Sequence, residues 1–510
     1  MSPEKGGEYS LARVLTGTLS GLGGIRVRVE ADVAPTLPGF SLVGLAGASL
    51  RESRERIGRA LYNAGFSWPE GRITVSLAPA DLRKDGAAMD LAIACAILIA
   101  SGQVARPRQD RLRRTLFVAE LALDGALRPA RGVVALALDA RRLGVDTVVV
   151  SSAQIPELTD VGCVQVSGLD HLRQLPGLLR VLSGPSSSGA RARPSPAIPV
   201  GDQLRRSRES LAPIRGQERA VRALILAAAG GHHLLFQGPP GCGKTLLARV
   251  LATLIPPLEG EAALARRRIH SCAGLPPPPP GPVETPLRMP HHSTTATGLL
   301  GGGRPVRPGE ITLAHGGVLL LDEIAEFATR VLDRLREPLA DGVVRLVSGD
   351  ERVEFPARFQ LVATANPCPC GWFGSALDRC RCSPGAVERY RGRLSGPLRD
   401  RIDLWVEMDR EPAAQFWSSA PEDDLDAVLS RVIGSRSSSG QLLEGDALLL
   451  ACALDEEARD FVAGLADRAG CSLRGLTSTL RVARTIADLE SAPAVTVPAI
   501  AEAFTFRPVI

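Results

Sequence analysis

Lysine is almost absent from this sequence. Only Lys5, Lys84 and Lys244 occur among its 60 basic residues, and every other basic residue is arginine. A lysine ammonium is a compact point charge that the broad arginine fork does not imitate. A lysine retained in such a chain therefore indicates a position that needs this charge, and Lys84 and Lys244 both lie in motifs described below.

The sequence also lacks a hydrophobic run that could cross a membrane. Its longest, residues 91 to 100, is about half of the ~20 residues that a spanning helix needs. The N-terminus carries Glu4 and Glu8 and has no apolar stretch of the secretory kind. Ten cysteines in 510 residues do not suggest a disulfide scaffold. We therefore expect a cytoplasmic protein without membrane association.

A strong charge imbalance is missing too. The formal net charge is only +5, which does not by itself indicate a nucleic-acid partner. The content of 45% hydrophobic and 23% charged residues is typical of a folded globular protein. At this length the chain must divide into several domains.

Alternating strand and helix patterns predict an α/β domain over residues 1–183. Strands are expected at 25–33, 72–77, 115–123 and 147–151, and a buried helix at 87–100. A Ser-, Gly- and Pro-rich segment, 184–205, is interpreted as a linker. A second α/β domain is expected over 206–410, and helical spacing of apolar residues predicts an all-helical third domain over 411–510.

A phosphate-binding loop is the clearest motif. The pattern GxxxxGK[ST] follows the apolar segment 234–236 and precedes another at 246–251, which is the strand, loop and helix context that the motif requires. Its backbone N–H groups would cradle ATP phosphates, Lys244 would reach the outer phosphates and the Thr245 hydroxyl would coordinate Mg²⁺. The loop consists of Gly238, Pro239, Pro240, Gly241, Cys242, Gly243, Lys244 and Thr245.

Two further strands end in polar residues suited to the same chemistry. The apolar run 318–321 ends in Asp322 and Glu323, as in a Walker B motif. Asp322 would hold the Mg²⁺ shell, and Glu323 would polarise the attacking water. The strand 359–365 ends in Asn366, which we assign as sensor 1, the residue that orients the water near the γ-phosphate.

Arginines stand just before the expected end of the ATPase core. Ring-forming ATPases use such a residue as an arginine finger on the phosphate of a neighbouring subunit. We choose Arg401, although Arg393 and Arg399 compete for this role and a solvated surface arginine is the alternative. In the helical domain, Arg474 is the sensor 2 candidate because its helix could bring a cation over the nucleotide.

Four cysteines cluster in one short segment. Cys368, Cys370, Cys380 and Cys382 form two CxC pairs separated by nine residues. This loop is long enough to fold back and present four thiolates to Zn²⁺. The spacing differs from the usual CxxC knuckle, so free thiols or a redox pair remain alternatives.

Several other stretches resemble the magnesium-chelatase-subunit-I-like AAA+ ATPases, specifically the ComM (YifB) competence protein family. The resemblance extends from about residue 19 to residue 508. It implies a homo-hexameric ATPase that uses ATP and Mg²⁺ to drive branch migration of DNA junctions during recombination. Its most specific stretches are MPHHS at 289–293, GGG at 301–303, RPGEITLAH at 307–315, ANPCPCG at 365–371, RLSGPL at 393–398 and RVARTIADL at 481–489.

The sequence departs from the family pattern in the nucleotide loop and near the arginine finger. Cys242 stands where the family usually has a small residue such as threonine, which should leave the backbone cradle intact. Arg399 replaces an expected apolar residue and complicates the choice of Arg401.

The resemblance also gives the fold class, α/β throughout the first two domains. The N-terminal domain resembles Lon-type protease domains of the ribosomal protein S5 domain 2-like fold, and the matching domain of the recombination ATPase RadA. The stretches that carry this resemblance are KDGAA at 84–88, which contains Lys84, ELALDG at 120–125 and LRP at 127–129. A P-loop AAA+ core and a helical lid follow. A Lon protease needs a serine where Ala88 stands, and alanine offers no nucleophile, so proteolysis is not expected. Lys84 would contact a phosphate or cap a turn.

The long interval between Lys244 and Asp322 raises the question of the partner. Loops of this length are usually functional, and His291, His292, Arg304 and Arg307 lie among glycines there. They could follow a DNA backbone without reading its sequence, or the histidines could stabilise the loop or a subunit contact. A chelatase-like or chaperone-like ATPase that remodels a protein partner is the alternative function.

Overall fold

The computed structural model describes most of the chain. It covers residues 11–44, 52–79, 87–162, 164–183, 200–211, 214, 216–348, 351–375, 379–410, 430–432, 434, 443–469 and 472–507. Lys84 lies outside the described residues. The chain divides into two compact units, of which the first comprises Met1–Pro196, Ala263–Val283 and Arg304–Arg307, and the second comprises Ala197–Ala262, Glu284–Gly303 and Pro308–Ile510.

The first unit is built on a mixed seven-stranded sheet with the order β3-β4-β2-β1-β5-β8-β9. Its strands are β1 (Ala12–Ser20), β2 (Gly23–Ala34), β3 (Gly39–Val43), β4 (Arg72–Ala78), β5 (Thr115–Phe117), β8 (Thr147–Ser151) and β9 (Gln165–Leu169), with a small pair β6 (Glu120–Leu121) and β7 (Leu127–Arg128). Its helices are α1 (Ser53–Asn63), α2 (Asp90–Ala100), α3 (Gln109–Leu112), α4 (Val133–Leu138) and α5 (Leu175–Ser183).

The hydrophobic helix of the first unit is completely buried. Every residue of α2 is inaccessible or nearly so, which explains an apolar run without a polar face. Its one charged residue, Asp90, accepts hydrogen bonds from Ser53 Oγ (2.7 Å) and Arg56 Nε (2.9 Å). Ala88 lies in the short turn before this helix.

One predicted strand proved to be wrong in its extent. Residues 115–123 do not form a continuous strand, because β5 ends at Phe117 and a separate two-residue strand, β6, begins at Glu120. Ala119 leaves the sheet ladder and donates its N–H to the Ala88 carbonyl (3.1 Å). The alternation of apolar residues therefore continued past the point at which the chain turns out of the sheet.

A segment between the Lys244 and Asp322 motifs belongs to the first unit. Arg267 is fully buried there, and its guanidinium bonds the Asp160 carboxylate and the Glu157 carbonyl. Arg268 adds an ion pair to Asp139 (2.7 Å). A buried arginine needs such partners, and they fix this segment against the N-terminal sheet.

The second unit contains a five-stranded parallel sheet with the order β11-β14-β17-β10-β18. The strands of this unit are β10 (Leu234–Gln237), β11 (Leu287–Arg288), β12 (Gly301–Gly302), β13 (Arg307–Pro308), β14 (Val318–Leu321), β15 (Val343–Ser348), β16 (Glu351–Pro356), β17 (Gln360–Ala365) and β18 (Leu404–Glu407), although β13 begins within the first. β15 and β16 form an antiparallel hairpin.

The remaining described helices begin at Val200, and some of them bury the faces of this parallel sheet. They are α6 (Val200–Leu211), α7 (Glu218–Gly230), α8 (Lys244–Leu254), α9 (Gly260–Ala273, mostly in the first unit), α10 (Ala296–Leu300), α11 (Glu310–Leu313), α12 (Thr329–Leu332), α13 (Arg336–Asp341), α14 (Pro384–Arg391), α15 (Gly396–Arg399), α16 (Gly445–Cys452), α17 (Glu456–Ala469), α18 (Leu473–Leu489) and α19 (Val497–Thr505). The C-terminal helices share one hydrophobic core with the sheet.

The expected α/β fold class with a helical C-terminal region is confirmed. The segment predicted as a linker, 184–205, differs in its last part, because α6 begins at Val200. The side chain of Ser207 on this helix donates to the Thr253 carbonyl (2.8 Å) and ties it to α8. Among the described helices, none is long and apolar enough to cross a membrane.

Candidate nucleotide site and arginine cluster

The phosphate-loop sequence lies at the carboxyl edge of the parallel sheet. β10 ends at Gln237, the loop follows, and α8 begins at Lys244. Gly243 has a φ of +93°, a conformation that side chains other than glycine rarely adopt. At Gly238 an added Cβ would lie 2.3 Å from the Met408 carbonyl oxygen. Glycine is therefore required at both positions for this tight loop.

Lys244 is held inside the loop. Its Nζ donates to the carbonyl oxygens of Gly238 (2.6 Å) and Pro239 (2.8 Å) and to Asn366 Oδ1 (3.1 Å). Burial lowers the pKa of this ammonium, and the carboxylates of Asp322 and Glu323 oppose that shift. The site thus concentrates a desolvated positive charge where an anion can approach.

Hydroxyl and carboxylate oxygens converge beside Lys244. Thr245 Oγ1 donates to Asp322 Oδ1 (2.9 Å), and the same oxygen accepts from Thr364 Oγ1 (2.6 Å). The backbone N–H of Glu323 donates to Thr364 Oγ1 (2.9 Å). Such oxygens are the ligands that Mg²⁺ prefers.

Glu323 adopts an unusual backbone conformation. Its φ is +52°, in the left-handed region, and its side chain is exposed. Backbone strain in a residue other than glycine persists only where the surroundings enforce it. Here the hydrogen bond from Glu323 N to Thr364 Oγ1 supplies one such restraint.

Cys242 is the one cysteine of the phosphate loop. Its side chain is buried, and its Sγ lies 4.0 Å from Lys244 Nζ. Burial raises the pKa of this thiol. The residue is therefore a small, buried and neutral side chain next to the Lys244 ammonium.

The four clustered cysteines meet in space. Their sulfur atoms all lie within 4.8 Å of one another. Cys368 Sγ is 3.4 Å from Cys370 Sγ and 3.8 Å from Cys380 Sγ, and Cys370 Sγ is 3.7 Å from Cys380 Sγ. Backbone N–H groups of Arg381 and Trp372 lower the pKa of Cys370 to about 6. These separations exclude disulfides in this state, since S–S bonds are ~2.05 Å long.

The cysteine segment contacts the phosphate loop. Gly371, with a φ of +83°, approaches Pro240 so closely that an added Cβ would lie 2.8 Å from its Cδ and Cγ. Trp372 also lies beneath the guanidinium of Arg410, 5.7 Å from the ring centre. The segment that begins after Asn366 is therefore packed against the nucleotide site.

Arg401 lies at the other edge of the same sheet. It precedes β18, whose first residue, Leu404, pairs with Leu234 at the start of β10, whereas the phosphate loop follows the end of β10 at Gln237. These strand residues alone separate the two edges by about 10 Å. The structure therefore does not bring Arg401 to the phosphate loop of its own chain.

The two competing arginines have partners of their own. Arg393 Nη1 donates to the Ala325 carbonyl (2.8 Å) and approaches Glu326 (3.4 Å). The guanidinium of Arg399 lies over the Trp405 ring, 5.4 Å from its centre. Arg401 Nη1 donates to the Pro397 carbonyl (2.8 Å), but its buried Nε has no hydrogen-bond partner among the described residues.

Arg474 lies near Arg401 and is exposed. Burial is the main cause of a lowered pKa at Arg401, and the positive charges of Arg474 and Arg336 follow. The sensor 2 candidate is thus grouped with the finger candidate at the amino edge of the sheet.

The basic residues chosen between Lys244 and Asp322 are exposed, but they belong to two different units. His291 and His292 stack at 4.0 Å between ring centres and belong to the second unit. Arg304 and Arg307 belong to the first unit. All four side chains are exposed, and neither arginine forms an ion pair within the described part of the chain.

Sequence reasoning missed Thr364 and Arg336. Thr364 stands in a completely buried strand, and a polar residue in such an apolar run was the available signal. Arg336 had no comparable signal, because its neighbours in space, Arg401 and Arg474, are distant in sequence.

Comparisons with known proteins match three regions of the chain to profiles of one protein family. The profile of magnesium chelatase subunit ChlI matches residues 210–416, a profile of subunit ChlI of Mg-chelatase matches 29–154, and the ChlI C-terminal profile matches 428–507. Together with the phosphate loop on a parallel sheet, these matches define a magnesium-chelatase-like AAA+ ATPase.

Curated relatives match the chain over nearly its whole length. An uncharacterized protein of Mycobacterium tuberculosis (strain ATCC 25618 / H37Rv) is 41% identical, covering 98% of this chain and 99% of the relative. The uncharacterized protein YifB of Escherichia coli is 36% identical (98% and 97% covered), and the competence protein ComM of Haemophilus influenzae is 35% identical (98% and 98%). The chain therefore belongs to the ComM (YifB) family.

Proposed function

We propose that this chain is a homo-hexameric, ATP-hydrolysing motor that drives branch migration of DNA junctions during recombination, as in the integration of DNA taken up by competent cells. The observation that carries the proposal is the full-length likeness to competence protein ComM. It is supported by a nucleotide site in which Lys244 donates a hydrogen bond to Asn366 and Thr245 donates one to Asp322.

The residues of the loop fit ATP and Mg²⁺. Backbone N–H groups at the start of α8 and the desolvated ammonium of Lys244 favour phosphate anions. Thr245 and Asp322 place a hydroxyl and a carboxylate oxygen 2.9 Å apart, where Mg²⁺ would bind and neutralise phosphate charge.

Glu323 and Asn366 supply the groups that act on water. The exposed carboxylate of Glu323 is a suitable base for orienting the attacking water. Asn366 is fixed by the hydrogen bond to Lys244, so its amide can hold the same water near the terminal phosphate. Substituting glutamine for Glu323 should preserve binding and remove this step.

The position of Arg401 supports action on a neighbouring subunit. It stands at the amino edge of the sheet, whereas its own phosphate loop stands at the carboxyl edge. A cation there serves hydrolysis only if another subunit brings its nucleotide to it. This supports a ring in which Arg401 and Arg474 face the adjoining site.

The DNA contact would be made by exposed, unpaired basic residues. Arg304 and Arg307 offer charge without an internal partner among the described residues, and His291 and His292 present stacked rings. Charge contacts to the DNA backbone carry no sequence information and weaken steeply with salt.

The decisive experiment uses a labelled four-way junction with ATP and Mg²⁺. Wild-type protein should convert it into forked duplexes, while Glu323→Gln should bind it without conversion. Arg304→Ala with Arg307→Ala should lower conversion more than DNA-free ATP hydrolysis. The matched control, Arg113→Ala with Arg141→Ala, removes two exposed arginines elsewhere in the first unit and should convert normally.

Active ATP hydrolysis without binding or conversion of any branched DNA at low salt would contradict the DNA motor. It would favour the alternative function, remodelling of a protein partner, which the magnesium chelatase profile matches also allow.

We further propose that Cys368, Cys370, Cys380 and Cys382 hold a structural Zn²⁺. Four sulfurs bound tetrahedrally at ~2.3 Å lie about 3.8 Å apart, and the separations of 3.4, 3.7 and 3.8 Å match this value. Such an ion would lock the segment that carries Gly371 against Pro240.

Elemental analysis of tag-free protein should find about one zinc per chain. Cys370→Ser with Cys382→Ser should lose it, whereas Cys95→Ala, which removes a buried cysteine of the first unit, should retain it. Wild-type protein that hydrolyses ATP but contains no zinc would rule this ion out.

A further inference from the structure

Arg336 is tied to the turn that carries the finger candidate. Its Nη2 donates to Asp333 Oδ1 (2.6 Å), and the same oxygen accepts from Ser395 Oγ (3.4 Å). Ser395 stands directly before α15, and Arg401 follows that helix. Asp333 therefore links Arg336, the first residue of α13, to Ser395, at the start of the segment that carries Arg401.

Three guanidinium groups share this region. The positive charges of Arg474 and Arg336 both act on Arg401, more strongly than the nearby carboxylates of Asp400 and Asp341. Bringing like charges together costs free energy. Asp333 offsets part of this cost through its ion pair with Arg336 (2.6 Å), and a bound anion would offset more.

The hydrogen-bonding capacity of the cluster is incomplete. The Nε atoms of Arg336 and Arg401 are both buried and have no hydrogen-bond partner among the described residues. Within the same part of the chain, Arg474 is exposed and forms no ion pair. Buried donors are normally satisfied, and the described residues supply no acceptor for these two atoms.

The missing acceptor is not the nucleotide of the same chain. Arg401 lies at the amino edge of the parallel sheet, and the phosphate loop lies at its carboxyl edge. Lys244 is influenced by Cys242, Asp322 and Glu323, and none of these belongs to the arginine cluster.

We propose that Arg336 is a further catalytic residue, which binds the terminal phosphates of ATP in the neighbouring subunit together with Arg401 and Arg474. Asp333 is its positioning residue. This inference rests on the proposed ring ATPase and adds a third cation to its shared site. Planar, multidentate guanidinium groups suit phosphate oxygens, and their charge matters most as negative charge develops in the transition state.

The first test is steady-state ATP hydrolysis. Arg336→Ala should lower kcat by about 100-fold with little change in the binding of a fluorescent ATP analogue, because its own phosphate loop is intact. Arg336→Lys should recover part of kcat, since it restores charge without the fork. Arg334→Ala, an exposed arginine two residues away, should behave as wild type.

The second test mixes inactive subunits. Arg336→Ala chains combined with Lys244→Ala chains should regain hydrolysis, because some interfaces then contain an intact loop opposite an intact Arg336. Arg401→Ala combined with Lys244→Ala provides the reference. Analogue binding by Arg336→Ala also shows that the variant is folded.

The outcomes separate this inference from the function on which it rests. Wild-type turnover in Arg336→Ala overturns it, as does recovery in the Arg401 mixture but not in the Arg336 mixture. Recovery in neither mixture, with mixed rings shown to form, overturns the shared site as a whole. Recovery in both mixtures supports the three-cation site.

Discussion

The two edges of the five-stranded parallel sheet satisfy their charges in opposite ways. At the carboxyl edge, Lys244 bonds two carbonyls and Asn366, and Asp322 accepts from two hydroxyls. At the amino edge, Arg336 and Arg401 leave buried Nε atoms without partners among the described residues. The groups of the first site satisfy one another within one chain, whereas the second site keeps two buried N–H donors without an acceptor among those residues.

The largest expected effect comes from a substitution at the carboxyl edge of the sheet. Lys244→Ala should abolish measurable ATP binding and hydrolysis, because it removes the desolvated ammonium and releases the Asn366 amide and two loop carbonyls. Titration with a fluorescent ATP analogue and a phosphate-release assay measure both losses.

Arg249→Ala provides the control for this change. Arg249 is exposed on the same helix, α8, and its removal also takes away one positive charge. It should bind ATP as wild type does. Tight binding by Lys244→Ala would show that the loop backbone alone holds the nucleotide.

A smaller effect is expected at the amino edge of the sheet. Arg401→Ala should retain nucleotide binding but lower kcat by about 1,000-fold, the lower range for arginine fingers. Arg399→Ala should lose much less, because Arg399 lies over Trp405 and not in the cluster. The two edges have different roles if Arg401→Ala loses turnover but keeps nucleotide binding, while Lys244→Ala loses both. Loss of nucleotide binding by a folded Arg401→Ala protein would instead show that the two edges are not independent.

The residues of the carboxyl edge were easier to predict from the sequence than those of the amino edge. A short motif fixes the order of strand, loop and helix, so the positions of Gly243 and Lys244 follow from local spacing. Asp322 and Asn366 also end apolar strands, and parallel strands deliver such residues to one edge. Thr364 was missed because its role depends on the neighbouring strand β14.

The amino edge brings together residues that are far apart in the sequence. Arg336, Arg401 and Arg474 come from three separate segments, and Arg474 reaches the cluster only because α18 packs against the sheet domain. The interruption of the predicted strand 115–123 has a similar cause, since the Ala119 N–H bonds Ala88 and not a sheet neighbour. Local periodicity carries no information about such pairings.

The smallest expected effect tests whether the cysteine segment positions the phosphate loop at the carboxyl edge. Gly371→Ala would introduce a Cβ 2.8 Å from Pro240 in the phosphate loop, at a φ of +83°. We expect a several-fold increase in KM for ATP with kcat nearly unchanged, because displacement of Pro240 alters the cradle and not Glu323. The backbone strain itself should cost about 1 kcal/mol of stability.

Gly374→Ala separates that strain from the contact. Gly374 has a similar φ of +74°, but an added Cβ there has nothing within 4 Å. Gly374→Ala should therefore lose thermal stability through the backbone strain alone, whereas Gly371→Ala should lose at least as much and should be the only one of the two to raise KM. Equal KM values in the two variants would mean that the contact with Pro240 does not position the loop, and that the cysteine segment contributes to folding without tuning the nucleotide site.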